Sequence, residues 1–338
     1  LFYGLFFAVL FASGCNISHE GKKPATIFGT TMGTSYLVKI ARLPPEIPQK
    51  QLQAAIDTRL EKINEQMSTY RPMSEISRFN RSSGLDWFEV STETAQVVHA
   101  ALFVSAETQG AFDVTVGPLV NLWGFGPDPG DRVVPRRIEI DAARAKIGRQ
   151  YLKVRMSPPA LRKIHADLQV DLSAIAKGFA VDMIAELLEH DGIASYLVEI
   201  GGEIRTRGLK KNGRAWTVGI ARPDPDRRMV QEVILLHDHA LATSGDYRNL
   251  FAQNGKRYSH TIDPKTGWPV AHHLASVTVV ADRCMQADAW ATAFMVLGPE
   301  KGYDLAVARN LAVLFLVYGQ AGIVQKTTPA FDELFSDS

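Results

Sequence analysis

A globular fold that interleaves helices with strands is what this 338-residue chain predicts. Three observations carry that expectation. Apolar residues make up 46% and charged residues 22%, the balance of a chain that buries a core. Stretches of period two, such as Tyr36, Val38 and Ile40 among polar neighbours, read as strands. Stretches of helical period, such as Leu52, Ile56, Leu60 and Ile63, read as helices with one apolar stripe. The length accommodates one large core or two modest ones. With 37 basic against 36 acidic residues and no dense Lys/Arg stripe, nothing draws a polyanion, so nucleic acid is not an expected partner.

Residues Leu1 to Gly14 are almost wholly apolar and end in Ala12-Ser13-Gly14 before Cys15. That run is shorter than the roughly 20 residues a membrane-spanning helix takes, and it has the form of an export signal with a small-residue cleavage site. The numbering starts at Leu1 and not at Met, so a basic leading segment is expected ahead of it. Small residues directly before Cys15 resemble a bacterial lipoprotein signal, with Cys15 as the lipidated terminus, although Ala12 stands where that pattern prefers Leu. An ordinary signal peptide or a buried helix would leave the same apolar run. Residues 15–25 then read as a tether and 26–338 as the folded domain. Only Cys284 remains after Cys15, which leaves the mature domain no intramolecular disulfide.

Thr26 to Arg42 predicts a strand, with a turn-like segment, Gly29 to Thr34, whose glycines allow close backbone approach. Pro48 opens a helix to about Gln66. Pro72 breaks the chain after Tyr70, and Ser74 can cap the next short helix. Tyr70 is placed to stack on a planar ligand or simply to be half-buried. Ser91 to Gln109 is an amphipathic helix closed by Gly110. The segment from Gly110 through Phe112, Asp113 and Leu119, then Trp123 to Gly126, makes an aromatic and acidic site wall, though turn punctuation explains half of it. A surface loop over 127–135, a short helix near Asp141 to Ile147, and strands near Tyr151 to Arg155 and Ile164 to Val170 follow.

Asp171 or Ser173 is expected to cap the most regular helix, which puts Lys177 in its first turn, where the helix dipole disfavours a cation. A lysine there suits a phosphate, or else reaches out to solvent. Tyr196 to Ile204 reads as strand, Gly201-Gly202 break and strand, with Glu199 and Glu203 on the flanks. Strands near Trp216 to Ala221 and Glu232 to Leu236 come next. Ala242 to Arg248 gathers the hydroxyls of Thr243 and Ser244 with a guanidinium in one turn. His260 is a candidate proton acceptor or phosphate partner, although a lone histidine is more often structural. Ala275 to Ala281 reads as a buried strand feeding a helix from about Cys284 to Leu297, with a helix, a strand pair and a short helix to finish. Asp288 and Thr292, four residues apart on the Cys284 helix, share one side among Ala287, Ala289, Ala291 and Ala293. Such hard oxygens suit magnesium or calcium and not zinc, while a capping acid and a filler residue would look the same.

The ordered set Met-Ser-Thr-Tyr70, Gly-Ala-Phe-Asp113-Val-Thr-Val-Gly-Pro-Leu119, Asp171-Leu-Ser-Ala-Ile-Ala-Lys177-Gly178, Gly201-Gly202-Glu203, Ser244-Gly-Asp-Tyr-Arg248, His260-Thr-Ile-Asp-Pro-Lys-Thr-Gly267 and Asp288-Ala-Trp-Ala-Thr292 resembles the ApbE family, the FAD:protein FMN transferases. The resemblance covers nearly the whole mature chain. It implies an α+β domain of two parts, with mixed and antiparallel sheets flanked by helices and FAD in the cleft between them. It implies magnesium held by Asp288, Thr292 and a main-chain carbonyl near Ala174. It carries Met32, Tyr70, Phe112, Asp113, Lys177, Gly201, Gly202, Glu203, Ser244, Arg248, His260 and Ile262 to the FAD site, and Lys177, His260 and Asp288 to the catalytic set. The implied reaction moves FMN from FAD to a Thr or Ser hydroxyl of an acceptor protein, probed against two alternatives: hydrolysis of FAD to FMN and AMP, and flavin binding without turnover. The acceptor expected is a membrane-associated redox subunit, with the enzyme lipid-anchored through Cys15 on the periplasmic side of a bacterial membrane.

Overall fold

The computed structural model describes residues 23–127, 132–224, 229–246 and 250–336. The export signal, Cys15 and Arg248 lie outside the described residues. Strands β1 (Lys23–Thr31) and β2 (Thr34–Leu43) form a hairpin. Its two turn residues, Met32 and Gly33, have φ of 50° and 72°, as a tight turn between twisted strands requires. The single strand expected over Thr26 to Arg42 is therefore two. Alternation also runs through Ala25 and Ile27, and the Met32-Gly33 step reverses the chain in its middle.

Helices α1 (Gln49–Met67) and α2 (Glu75–Arg81) follow, then β3 (Phe88–Glu89) and α3 (Thr92–Glu107). The apolar stripe of α1 is 0–2% exposed at Leu52, Ile56, Leu60 and Ile63, a burial of about 1.5–3 kcal/mol per side chain. Ser74 and Ser91 act as N-caps, accepting from the amides of Ser77 and Thr94. Helices α4 (Gly117–Leu122) and α5 (Arg137–Arg144) and strands β4 (Leu152–Met156) and β5 (Pro159–Lys163) come next. No strand forms over Ile164 to Val170. Ile164 is 49% exposed, and the backbone of Val170 is satisfied by one side chain, Asn80, which donates to its carbonyl and accepts from its amide at 2.8 Å each.

Helix α6 (Ala176–His190) starts later than Asp171 or Ser173 would set it. Asp171 Oδ1 instead accepts from the amide and hydroxyl of Ser173 in a local turn, so neither side chain caps the helix. After it come β6 (Tyr196–Ile200), β7 (Glu203–Arg207), β8 (Trp216–Ala221), β9 (Val230–Leu236), β10 (Ala240–Gly245), β11 (Leu250–Gln253), β12 (Lys256–Ser259) and β13 (Leu274–Ala281). The hydroxyl-rich run from Ala242, expected as a turn, is the second half of β10, held in register against β13. Helices α7 (Cys284–Leu297) and α8 (Pro299–Ala308), strands β14 (Ala312–Gly319) and β15 (Gly322–Thr327), and α9 (Pro329–Phe335) complete the order.

The architecture is α+β. One antiparallel sheet runs β1-β2-β6-β7-β10-β13-β14-β15. Its helix-covered face holds the main core, where the α1 stripe, Phe179 and Ile184 of α6 and Phe294 of α7 meet Val38, Val198 and Val277. The opposite face is closed by the β8–β9 hairpin and α9 through Trp216, Ile220, Ile234 and Phe331. A third cluster is a separate aromatic lobe built on Trp123, whose indole N–H donates to Gly267 O at 2.9 Å and whose ring meets Tyr258 and Trp268. Among the described residues, no helix is long and apolar enough to cross a membrane.

Candidate active site

Helices α6 and α7 approach so closely that a Cβ on Gly178 would lie 2.4 Å from Cys284 O and 2.8 Å from Asp288 Cβ. At that distance each helix caps the other. Asp182 of α6 accepts from the first amides of α7, Cys284 N and Met285 N, at 3.0 Å each. Asp288 of α7 accepts from Gly178 N, in the first turn of α6, at 2.9 Å. Both supply the partners that helix N-termini lack within themselves. With the Gly178 amide committed to Asp288, the carbonyl of Ala174 takes no backbone hydrogen bond among the described residues.

Between this helix pair and the aromatic lobe lies a cleft of ≈ 450 Å³. Tyr70, Phe112, Asp113 and Ile262 line it, as do Gly201, Ser244 and His260. Its floor carries Lys177, Glu203, Asp288, Thr292 and Ala174. Residues from seven separate stretches of sequence thus meet in one place. Met32 and Gly202 are not among the lining residues: Met32 forms the β1–β2 turn and packs on the main core, and the amide of Gly202 donates to Glu199 Oε1 at 2.8 Å.

Within the lining, side chains do different things. Asp113 spends its carboxylate on the protein itself, accepting from Thr115 N, Thr115 Oγ1 and Arg149 N, and burial still holds its pKa above the usual range. Tyr70 is 63% exposed and donates to Phe125 O at 3.3 Å, which ties the rim loop to the lobe. His260 lies edge-on to Phe125 at 6.3 Å between ring centres. Ser244 Oγ and Thr292 Oγ1 are 3.1 Å apart, joining β10 to α7.

Among the described residues, the floor is short of positive charge. Lys177 Nζ meets Glu203 Oε1 at 2.5 Å, while Glu203 is 3% and Asp288 4% exposed. Burial pushes Glu203 up to about 7 despite Lys177, with Asp288 adding to the rise. Burial also raises Asp288, opposed by Lys177 and by the Gly178 amide. Burial alone would lower Lys177, but Glu203 and Asp288 outweigh it and hold the ammonium protonated. Two carboxylates therefore share one cation, Glu203 Oε2 is buried with no partner, and Asp288 Oδ1 has no hydrogen bond among the described residues. Among those residues no three His, Cys, Asp or Glu side chains gather as a metal cluster. Asp288, the Thr292 hydroxyl and the Ala174 carbonyl are nonetheless a hard-oxygen set that fits magnesium.

Val116 and Phe125 line the cleft inside the stretch read as a site wall, while sequence reading missed Asp182 and Val120. Asp182 had a visible signal, an acid inside the otherwise apolar run Phe179-Ala-Val-Asp-Met-Ile184. Val120 had none, because its place in the cleft depends on how the aromatic lobe folds back.

The model of the ApbE family matches residues 32–315. A Vibrio cholerae protein named FAD:protein FMN transferase is 46% identical over 332 residues, covering 97% of each chain. Its namesake in Escherichia coli K12 is 41% identical, covering 91% of this chain and 90% of its own length. Two solved structures superpose with TM-scores of 0.86: the flavin transferase ApbE from Vibrio cholerae, covering 93% of this chain and 99% of its own at 46% identity, and the apo form of Pseudomonas stutzeri flavinyl transferase ApbE, covering 94% and 98% at 41% identity.

Proposed function

The chain belongs to the ApbE family and is a flavin transferase, and we propose that it carries the FMN moiety of FAD to a threonine or serine hydroxyl of an acceptor protein, with magnesium required and AMP released. The observation that supports this most is the charge deficit at the cleft floor, where Glu203 and Asp288 face one lysine. A divalent cation offsets that deficit, and Asp288, Thr292 and the Ala174 carbonyl are the groups to hold it. Bound there, magnesium would neutralise charge on the FAD pyrophosphate.

The chain's own residues supply the remainder. Lys177, in the first turn of α6, stabilises charge growing on the phosphates. Tyr70, Phe125 and Ile262 give a planar ring system an apolar wall. In the transfer, the acceptor oxygen bonds to the FMN phosphorus, the bond from that phosphorus to the bridging oxygen breaks, and AMP leaves with the bridging oxygen. The hydroxyl proton passes to His260 in our assignment. Residues 1–14 as export signal and Cys15 as lipid anchor would put this chemistry on the periplasmic side of a bacterial membrane, within reach of a membrane-associated redox subunit. Cys15→Ser should release the protein from the membrane fraction if so.

The deciding experiment is one incubation of the enzyme with FAD, magnesium and a candidate acceptor, followed by mass analysis of the acceptor. The expected result is an acceptor heavier by one esterified FMN and an equal amount of AMP. FMN and AMP with an unlabelled acceptor would make the protein a pyrophosphatase. Intact FAD retained with no AMP would make it a flavin carrier.

A further inference from the structure

Strand β10 loses one neighbour where the cleft begins. It pairs with β7 only through Ala240↔Arg205 and Leu241↔Ile204. Thr206 N donates to His239 O at 2.9 Å, so the backbones of His239 and Leu241 face β7 and, by alternation, those of Thr243 and Gly245 face the same way. Continued in register, Thr243 would meet Gly202. Gly202 has turned away, with φ of 109° and its amide given to Glu199. On its other side β10 is paired with β13 from Ala240 to Gly245. The backbone groups of Thr243 and Gly245 thus form a short open sheet edge, without a backbone partner among the described residues, on the wall of the cleft.

We infer that an extended segment of the acceptor protein docks here as an added antiparallel strand, in line with β7, and that its reacting residue stands opposite Ser244. This inference rests on the transferase reading. Directly opposed residues of an antiparallel pair project to the same face, so a side chain opposite Ser244 points as Ser244 does, toward Thr292 at 3.1 Å from the Ser244 hydroxyl. That face holds Asp288 one helical turn away from Thr292. Main-chain bonds to Thr243 and Gly245 would give affinity for any acceptor with an extended segment, independent of its side chains. They would also fix the hydroxyl against the floor rather than leave it to diffuse.

The register makes a phase prediction. The acceptor residues on either side of the reacting one face Thr243 and Gly245 and exchange hydrogen bonds with them, whereas the amide of the reacting residue points away. The probe is a short synthetic peptide with one central threonine, copied from the labelled segment of an acceptor modified in the incubation above, and N-methylated at one amide at a time. With the full-length enzyme, FAD and magnesium, methylation on either side of the threonine should raise the peptide KM about tenfold, the cost of a lost backbone hydrogen bond plus the steric intrusion, while methylation at the threonine itself leaves it nearly unchanged. In parallel, amide exchange at Thr243 and Gly245 should slow when the unmodified peptide is added, and not with FAD and magnesium alone. A flat scan, a scan of inverted phase, or full protection by FAD alone overturns strand addition and leaves flavin transfer standing. If the incubation above hydrolyses FAD and labels no acceptor, both readings fall.

Discussion

Asp182 and Asp288 are buried carboxylates on two helices packed against each other, and each caps the helix that carries the other. They differ in how fully they are satisfied. Asp182 accepts from two amides of α7, from Arg205 at 2.8 Å and from Arg283 at 3.4 Å, so both of its oxygens are used. Asp288 accepts one amide through Oδ2 and shares Lys177 with Glu203. Saturation marks scaffold, and shortage marks a place for a ligand, because an incompletely paired buried charge costs free energy that a bound cation can offset. The two ends of one reciprocal arrangement thus divide the labour: Asp182 fixes where α7 begins, and Asp288 is what that fixing presents to the cleft.

The largest expected effect tests the functional end. Asp288→Ala should lower magnesium-dependent AMP release by about 10³, while stability in urea without metal shifts by less than about 1 kcal/mol. Normal turnover in that variant would remove Asp288 from the site. Asp182→Ala should do the converse, costing about 3–5 kcal/mol in urea denaturation because Arg205 keeps only the longer pair with Glu189 and the first amides of α7 lose their buried acceptor. A loss under about 1 kcal/mol would end the distinction between the two acids. Gly178→Ala touches both, since its Cβ meets backbone of α7. We expect it to cost about 1–3 kcal/mol through overpacking and to weaken magnesium binding, measured by calorimetry with FAD present.

The smallest effect concerns Asp246, whose Oδ1 is buried without a partner among the described residues and whose pKa burial raises to about 6. A carboxyl raised on folding contributes stability that is complete below its unfolded value, near 3.8, and is lost as pH rises through about 6. Asp246→Asn should therefore match the wild type in melting temperature at the acid end and exceed it above that window. Equal melting temperatures across the whole range would show that Asp246 carries no such linkage.

Local chemistry made much of this legible. The helix over Cys284 to Leu297 was readable to the residue because its alanines and apolar side chains are good helix formers, and Ser74 announced its cap. The pairing of Gly201 and Gly202 marked the β6–β7 turn. What stayed hidden is non-local. Asp171 looks like a cap until its hydrogen bonds are seen to close on Ser173. Val170 looks like strand until Asn80, ninety positions earlier, takes its backbone. Nothing near Asp182 tells that its partners are Arg205 on a strand and the first turn of another helix. Of the site, the residue types were legible and the shortage of charge was not, since shortage is a property of the assembled cluster.

The bond from Gly178 to Asp288 reaches beyond the cleft. Because that amide is committed across helices, the carbonyl of Ala174 and the carboxylate of Asp288, the groups proposed above to hold magnesium, come into position through one tertiary contact, which neither helix supplies alone. Cation affinity is then a gauge of side-chain packing rather than of helicity. A partly melted state that keeps its circular dichroism but loses the α6–α7 contact should let go of magnesium first, so the ion can serve as a reporter of native assembly.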